Sequence, residues 1–176
     1  MKIFALVLMA SLAPAEEAPP WVRQASLPVG KYPPRVSTVV LLHQEQLTVA
    51  PDGRRTMRER GAIRIVARSR GRVVAFRAYN TKTGRIRDFR AWLLPPDGRE
   101  QQFKPNEIPD VALSQQYTYD EARAKALECP TNAPLGSVFA YEIVEEERSV
   151  FTQADYSFQE REPVLASRFV LVLPPG

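Results

Sequence analysis

The sequence has very little of the two residues that carry much of enzyme chemistry. It contains 1 cysteine and 1 histidine among 176 residues. It therefore cannot form an intramolecular disulfide, or a zinc site of cysteine and histidine ligands alone. It also has no phosphate-binding glycine loop and no Gly-x-Ser-x-Gly elbow. These absences exclude many catalytic classes.

Cys129 and His43 are the two residues from which a thiol site could still be built. A cysteine-dependent hydrolase needs a thiolate, an imidazole and a group that orients the imidazole. Cys129 stands between Glu128 and Pro130, where no helix N-terminus is expected to lower the thiol pKa. The sequence favours a packed, inert Cys129 and a histidine at the edge of the core. On the period-two pattern, His43 shares a strand face with Leu41 and Leu47.

The remaining acidic candidates are weak. A glycosidase pair of carboxylates is conceivable in one acidic stretch, but a solvated strand end is the favoured interpretation of Glu142, Glu145, Glu146 and Glu147. Asp52-Gly53 and Asp97-Gly98 indicate turns, since no alternating acidic ligands surround them as in a calcium loop. We assign no catalytic residue, no metal ligand and no cofactor, and the ligand-binding residues stay unknown.

The N-terminus has the pattern of an export signal. Met1-Lys2 is a minimal charged region, Ile3–Leu12 is a short apolar region, and Ala13-Pro14-Ala15 offers a small-residue cleavage site. The apolar run is shorter than the roughly 20 residues that a membrane-spanning helix needs; a buried N-terminal strand or helix is the alternative. We predict a signal peptide at residues 1–15, no membrane span, and a soluble periplasmic or extracellular protein.

Alternating apolar and polar residues predict strands. Residues 16–35 are rich in proline and predict an extended lead-in. Helix and strand both fit residues 120–128. Short strands separated by turns, two of them Pro-Asp-Gly turns, favour a sandwich or barrel. The clearest strands are Thr38–Val49, Arg55–Arg68, Val73–Tyr79, Arg85–Leu94, Arg99–Phe103, Ser137–Val144 and Val164–Leu173.

Charge is unevenly distributed along the chain. Residues 54–90 hold 13 basic and 2 acidic residues, and residues 100–162 hold 13 acidic and 5 basic residues. Neutralisation between neighbouring strands is the favoured interpretation, and an anionic partner is the alternative. A basic and aromatic series is typical of single-strand nucleic-acid surfaces, but the export signal argues against nucleic acid. That series is Arg64, Arg68, Arg72, Phe76 and Tyr79.

The order of several short motifs resembles a known family. The motifs are Pro51-Asp52-Gly53, Asp88-Phe89-Arg90-Ala91, Leu94-Pro95-Pro96-Asp97-Gly98, Tyr119-Asp120-Glu121-Ala122-Arg123, Leu135-Gly136-Ser137-Val138-Phe139-Ala140-Tyr141-Glu142, Phe158-Gln159, Glu162-Pro163-Val164 and Leu173-Pro174-Pro175-Gly176. Over Val36–Gly176 the chain resembles the domain of unknown function that precedes transglutaminase-like domains in exported bacterial proteins.

The resemblance implies an all-β fold, an antiparallel β-sandwich of about eight strands over residues 36–176, and makes 123–129 a strand. The catalytic Cys, His and Asp of the family's next domain would follow Gly176, so no catalytic residue carries over. We expect Trp92, Phe89, Tyr141 and Phe169 in the core.

The resemblance also implies that the domain is not catalytic. We expect a non-catalytic exported accessory or binding module, with a transglutaminase-like domain or protein as its partner. The chain would then be either a truncated product or a free-standing form of the domain. The alternative is a free-standing envelope protein that binds a peptide or a glycan through exposed aromatic side chains. The candidate contacts are Tyr117, Tyr119 and Tyr156.

Overall fold

The computed structural model describes residues 17–26, 30–68, 71–113, 121–148, 153 and 155–175. A short 3-10 helix spans Pro105–Glu107. The other elements are α1 (Pro20–Ala25), β1 (Thr38–Val49), β2 (Arg55–Ile65), β3 (Val74–Asn80), β4 (Gly84–Leu94), β5 (Gln101–Gln102), β6 (Asp110–Ala112), β7 (Ala122–Glu128), β8 (Val138–Glu147) and β9 (Ser167–Val172).

The strands form two sheets. One has six strands in the order β5-β4-β8-β2-β1-β9, and the other has three in the order β3-β7-β6. The predicted all-β sandwich is confirmed. Residues 122–128 are a strand that pairs residue by residue with β3, which confirms the strand interpretation because tertiary pairing overrides the helix propensity of a short segment.

The antiparallel prediction is wrong for one pair of strands. β9 runs parallel to β1, from His43 opposite Ser167 to Thr48 opposite Val172. β8 ends beside the start of β2, and the chain then returns to form a parallel bridge between Val40 and Val164. β9 therefore enters the sheet alongside β1 in the same direction.

The six-stranded sheet is buried on both faces where β4 and β8 cross its centre. Phe89, Leu93 and Phe139 face the small sheet in the larger core cluster. Trp92 and Ala140 point the other way, into a second cluster. This alternation explains why the end of β4 is continuously apolar.

The predicted extended lead-in is wrong at α1. Pro20 occupies the first turn of this helix, where its fixed φ and missing N–H are tolerated. Val22 is 0% exposed and packs in the cluster that contains Trp92. Arg23 ion-pairs with Glu100 at 3.1 Å. The segment before β1 is therefore a cover for the outer face of the six-stranded sheet.

Most strand predictions hold, but several boundaries shift. β2 ends at Ile65, β9 begins at Ser167, and the strand expected at 99–103 contains two residues. The sequence pattern does not predict β6. Gly53 and Gly98 both have φ +78°, which confirms the two Pro-Asp-Gly turns because glycine adopts positive φ without steric cost.

Three of the four expected core aromatic residues are buried. Trp92 is 2% exposed, Phe89 7% and Tyr141 9%. Phe169 is half-buried, because it lies on β9 at the edge of the sheet.

Candidate functional site

Cys129 is a buried core residue. It is 7% exposed and packs with Phe139 and Leu127 between the two sheets. Burial raises the pKa of the thiol to about 11, so the thiol is protonated near neutral pH and is a poor nucleophile. The prediction of a packed Cys129 is confirmed.

His43 lies on β1 in a different environment from Cys129. Its Nδ1 atom is 3.1 Å from a carboxylate oxygen of Glu160, and its ring centroid is 5.3 Å from that of Tyr156. The expectation that it shares a face with Leu41 is wrong. A register shift between Val40 and Leu42 places Leu41 in the cluster under α1, as a β-bulge changes which face a side chain takes.

The glutamates at the end of β8 are not a simple solvated strand end. Glu142 is 3% exposed and Glu145 is 6% exposed. β8 lies between the basic strands β2 and β4, whose arginines cover its carboxylates. Arg85 and Arg87 ion-pair with Glu146, and Arg55 ion-pairs with Glu147. These contacts confirm the predicted neutralisation of charge between neighbouring strands.

Five polar side chains form one row across five adjacent strands of the six-stranded sheet. Strand register places Arg168 opposite Gln44, Gln44 opposite Arg60, Arg60 opposite Glu142, and Glu142 opposite Arg90. Residues opposite each other in neighbouring strands point to the same face. We call these five residues, Arg168, Gln44, Arg60, Glu142 and Arg90, the arginine row.

Glu142 is the fixed anion of the arginine row. Arg60 Nε and Arg90 each donate a hydrogen bond to it at 2.6 Å. Burial alone would raise the pKa of this carboxyl, but these two guanidinium groups together lower it below its ordinary value. Glu142 is therefore ionised near neutral pH and holds two arginines in place.

One end of the arginine row borders a cleft between α1 and the sheet. The cleft has a volume of about 430 Å³. Arg60 lies over the ring of Trp21, with Cζ 5.3 Å from the ring centroid, and Trp21 packs edge-on against Trp92 at 6.1 Å. The lining residues are Trp21, Gln24, Ala25, Leu41, Leu42, Gln44, Arg60, Ala166 and Arg168. Charged, amide and apolar groups thus converge on one concave surface.

The opposite face of the same sheet holds a second buried carboxylate, Glu59. It is 9% exposed and accepts a hydrogen bond from the Tyr141 hydroxyl at 2.9 Å. Arg77 reaches across from β3, donating to Glu145 at 2.6 Å and lying 3.6 Å from Glu59. Burial raises the pKa of Glu59, although Tyr141 and Arg77 act in the opposite direction. This cluster joins the two sheets.

The free edge of β9 exposes apolar side chains on both faces. Val170 is 37% exposed, Leu171 51%, Val172 40% and, just after the strand, Leu173 63%. An exposed apolar edge strand is a surface on which another protein segment can pair or pack.

Four members of the basic series considered for nucleic acid contact protein groups, and the fifth, Phe76, is 50% exposed. Arg64 donates to the Ser26 carbonyl, Arg68 to the Thr131 carbonyl at 3.0 Å, and Arg72 to Glu128 at 2.7 Å. The Tyr79 hydroxyl donates to Asp110 at 2.7 Å. These contacts hold loops and strands together.

The three tyrosines considered as ligand contacts differ in what the structure describes. Tyr117 and Tyr119 lie outside the described residues. Tyr156 is half-buried; its ring packs 5.3 Å from that of Phe169, and its hydroxyl donates to the His43 carbonyl at 3.0 Å. Tyr156 thus holds the segment before β9 against the sheet.

The family model DUF3857, a domain of unknown function with a solved structure, matches residues 51–176. The chain belongs to this family. A comparison with curated proteins finds no match. Within the described residues of this DUF3857 domain, no group of three His, Cys, Asp or Glu side chains could hold a metal ion. No helix there is long and apolar enough to cross a membrane.

The DUF3857 domain has the same fold as part of a larger protein of known structure. A Parabacteroides distasonis protein, described as a "putative protease", superposes with a TM-score of 0.65 at 15% sequence identity. The match covers 78% of this chain and 29% of that one. This chain therefore spans less than a third of the length of that protein.

The arginine row cannot be found in the sequence because no local motif carries it. Alternation along β2 puts Arg60 on one strand face with Arg58 and Arg64. Its partners Gln44, Glu142, Arg168 and Arg90 come from four other strands, and only the pairing register brings them into one line.

Proposed function

We propose that this DUF3857 domain is a non-catalytic accessory module of an exported protein or complex, and that it packs beside a transglutaminase-like peptidase domain. The observation that carries the proposal is the exposed apolar edge at β9. Leu171 and Leu173 are both more than half exposed. Natural sheets avoid exposed apolar edges because such edges pair with other chains. A partner that covers β9 is therefore the simplest explanation of its exposure.

Two further observations support a role without catalysis. Cys129 is buried, and its pKa of about 11 disfavours the thiolate that a cysteine peptidase needs. His43 contacts Glu160 and Tyr156, and the contact described for the Cys129 sulfur is with the Pro130 carbonyl.

The comparison with the Parabacteroides distasonis protein supports the accessory part of the proposal. That protein is described as a "putative protease", and the match covers 29% of its chain. A fold that forms a minor part of such a protein fits a domain that supports or positions another domain.

Export of the protein is part of the same proposal. It is supported by the charged and apolar pattern of residues 1–12 and by the small residues at 13–15. N-terminal sequencing of the protein recovered from its host tests it. We expect a mature N-terminus at Glu16; recovery of the intact Met1 N-terminus from the cytoplasmic fraction would contradict export.

The accessory role is tested by binding. The chain is mixed with the transglutaminase-like domain encoded in the same or the adjoining gene, and affinity is measured by calorimetry. Leu171→Glu should weaken binding by at least about tenfold, because a charge is then buried against the partner. Phe76→Glu is the matched control, since Phe76 is 50% exposed on the three-stranded sheet.

Two results would refute the accessory role. One is the lack of any such domain in the gene or its neighbour, or a domain that does not bind. The other is equal weakening by Phe76→Glu and Leu171→Glu, which would show that β9 is not the contact surface. A thiol-dependent activity of the chain alone that disappears in Cys129→Ser would refute the non-catalytic assignment.

A further inference from the structure

The outer end of the arginine row has the geometry of an anion clamp. Gln44 on β1 lies opposite Arg60 on one side and opposite Arg168 on the other. Neighbouring strands are about 4.8 Å apart, so the two arginine backbones are separated by roughly twice that spacing. Both arginines line the cleft under α1. Their long side chains can reach one small anion placed above Gln44.

The hydrogen-bond donors of this clamp are largely uncommitted. Arg60 uses Nε for Glu142. Within the described parts of the chain, its two terminal nitrogens make no hydrogen bond, and neither do the side chains of Gln44 and Arg168. Two guanidinium groups and one amide therefore present free N–H groups to the cleft, which is the donor set that binds a carboxylate best.

The local charge also favours an anion. The arginine row contains three arginines and a single carboxylate, Glu142, which is already shared between Arg60 and Arg90. Arg58, in the next row of the same face, is exposed and adds a further positive charge. Asp88 also ion-pairs with Arg90, at 2.9 Å, so Glu142 and Asp88 offset Arg60 and Arg90, and the excess positive charge on this face comes from Arg168 and Arg58.

The remaining lining of the cleft bears on which kind of carboxylate-containing molecule would fit. Leu41 is 4% exposed, and it forms an apolar lining together with Leu42 and Ala166. Arg60 lies over one face of the Trp21 ring, and Trp92 packs edge-on against Trp21 at 6.1 Å, so the face under Arg60 is not open for stacking on a sugar. A carboxylate attached to an apolar side chain fits this lining better than a carboxylated sugar does.

We propose that the cleft between α1 and the six-stranded sheet binds a peptide through its carboxylate. Arg60 and Arg168 clamp the carboxylate, Gln44 donates its amide between them, and the adjacent apolar side chain packs on Leu42. This inference goes beyond the accessory role, and it concerns the chain alone.

The test is a calorimetric titration of the full chain with matched small peptides. The probe is N-acetyl-Ala-Ala-Leu with a free C-terminus, and the comparison probe is its C-terminal amide. The acid should bind at least about tenfold more tightly than the amide, because the charge-assisted hydrogen bonds need the carboxylate. N-acetyl-Ala-Glu-Leu amide shows whether a side-chain carboxylate serves as well, and trigalacturonic acid represents the glycan class.

A pair of charge-matched variants ties binding to the site. Arg168→Gln should weaken binding of the acid about tenfold without changing the unfolding temperature, since Arg168 is exposed. Arg99→Gln removes the same charge from a turn residue whose side chain is 89% exposed, and it should leave binding unchanged.

Several outcomes would overturn the peptide site. They are equal binding of acid and amide, no saturation by either peptide acid below about 10 mM, equal loss in Arg168→Gln and Arg99→Gln, or binding of trigalacturonic acid alone. Because no partner domain is present in this titration, a negative result leaves the complex through β9 to be judged by its own experiment.

Discussion

Both faces of the six-stranded sheet bury glutamate side chains, and the pKa values of Glu142 and Glu59 shift in opposite directions. Glu142, on the α1 face, accepts hydrogen bonds at 2.6 Å from arginines on both neighbouring strands, and its pKa is lowered despite burial. Glu59, on the face toward the small sheet, accepts one from Tyr141, and its pKa is raised by burial. Burial alone thus does not decide whether a carboxylate is stabilised.

The difference follows from where the positive partner is attached. Arg60 and Arg90 share strand register with Glu142, so the sheet itself sets their distance. Arg77, the cation nearest to Glu59, comes from the other sheet and hydrogen-bonds to Glu145 instead. Glu142 thus has two arginines within hydrogen-bonding distance, whereas Glu59 shares a single arginine with Glu145.

The largest expected loss of stability comes from removing Trp92, the apolar side chain that supports the α1 face. Trp92→Ala should lower the free energy of unfolding by about 3–5 kcal/mol, because Trp92 is 2% exposed and carries Trp21 above it. Urea unfolding followed by circular dichroism measures this. An unchanged midpoint would contradict the placement of Trp92 in the core, and Phe158→Ala, at a 59% exposed position, is the control.

The next largest loss of stability is expected when the carboxylate of the arginine row is removed. Glu142→Gln removes the carboxylate shared by Arg60 and Arg90, and Arg90 keeps its ion pair with Asp88 at 2.9 Å. Since the side chains of Arg60 and Arg90 remain 25% and 39% exposed, water screens part of the repulsion between them, and we expect a loss of about 2–3 kcal/mol at neutral pH. The pKa of Glu142 is lowered in the folded state, so its contribution disappears as pH falls below 4.5. A difference between variant and wild type that persists at low pH would disprove the role of its charge.

A smaller loss of stability is expected when Tyr141 is displaced from Glu59 on the opposite face. A Cβ atom at Gly61 would lie 2.4 Å from two ring carbons of Tyr141, so Gly61→Ala forces the ring to move. We expect a loss of about 1–3 kcal/mol in the free energy of unfolding. The double variant Gly61→Ala, Tyr141→Leu tests the cause. If Gly61→Ala costs as much in the Tyr141→Leu background as it does in the wild type, the contact with the ring is not the reason.

The smallest effect concerns Glu59 and sharpens the comparison with Glu142. Its raised pKa means that the folded state holds the proton more tightly than the unfolded chain. Stability therefore falls as pH rises from the ordinary value of 4.5 through the raised value. Glu59→Gln should remove this fall and change stability at neutral pH by less than about 1 kcal/mol. A fall of the same size in the variant and the wild type would show that another group titrates there.

Much of the fold is local enough to be predicted from the sequence. Period-two alternation identifies β1, β2 and β4, because a half-buried strand needs apolar residues on one face only. Gly53 and Gly98 mark turns for which positive φ is required. The run from Ala91 to Leu94 indicates burial on both sides. The opposite charges of residues 54–90 and 100–162 correctly predict that strands neutralise each other.

The candidate site could not be predicted in this way, because tertiary structure alone decides it. The arginine row depends on the register of four strand pairs between residues far apart in the chain, and a slip of one residue would turn each side chain to the other face. The bulge before His43, the parallel entry of β9 and the docking of α1 on Trp92 are equally non-local. The sequence by itself determined strands, turns and charge balance, since these depend on neighbours in the chain. Which charges meet, and which surface stays open, depended on long-range pairing.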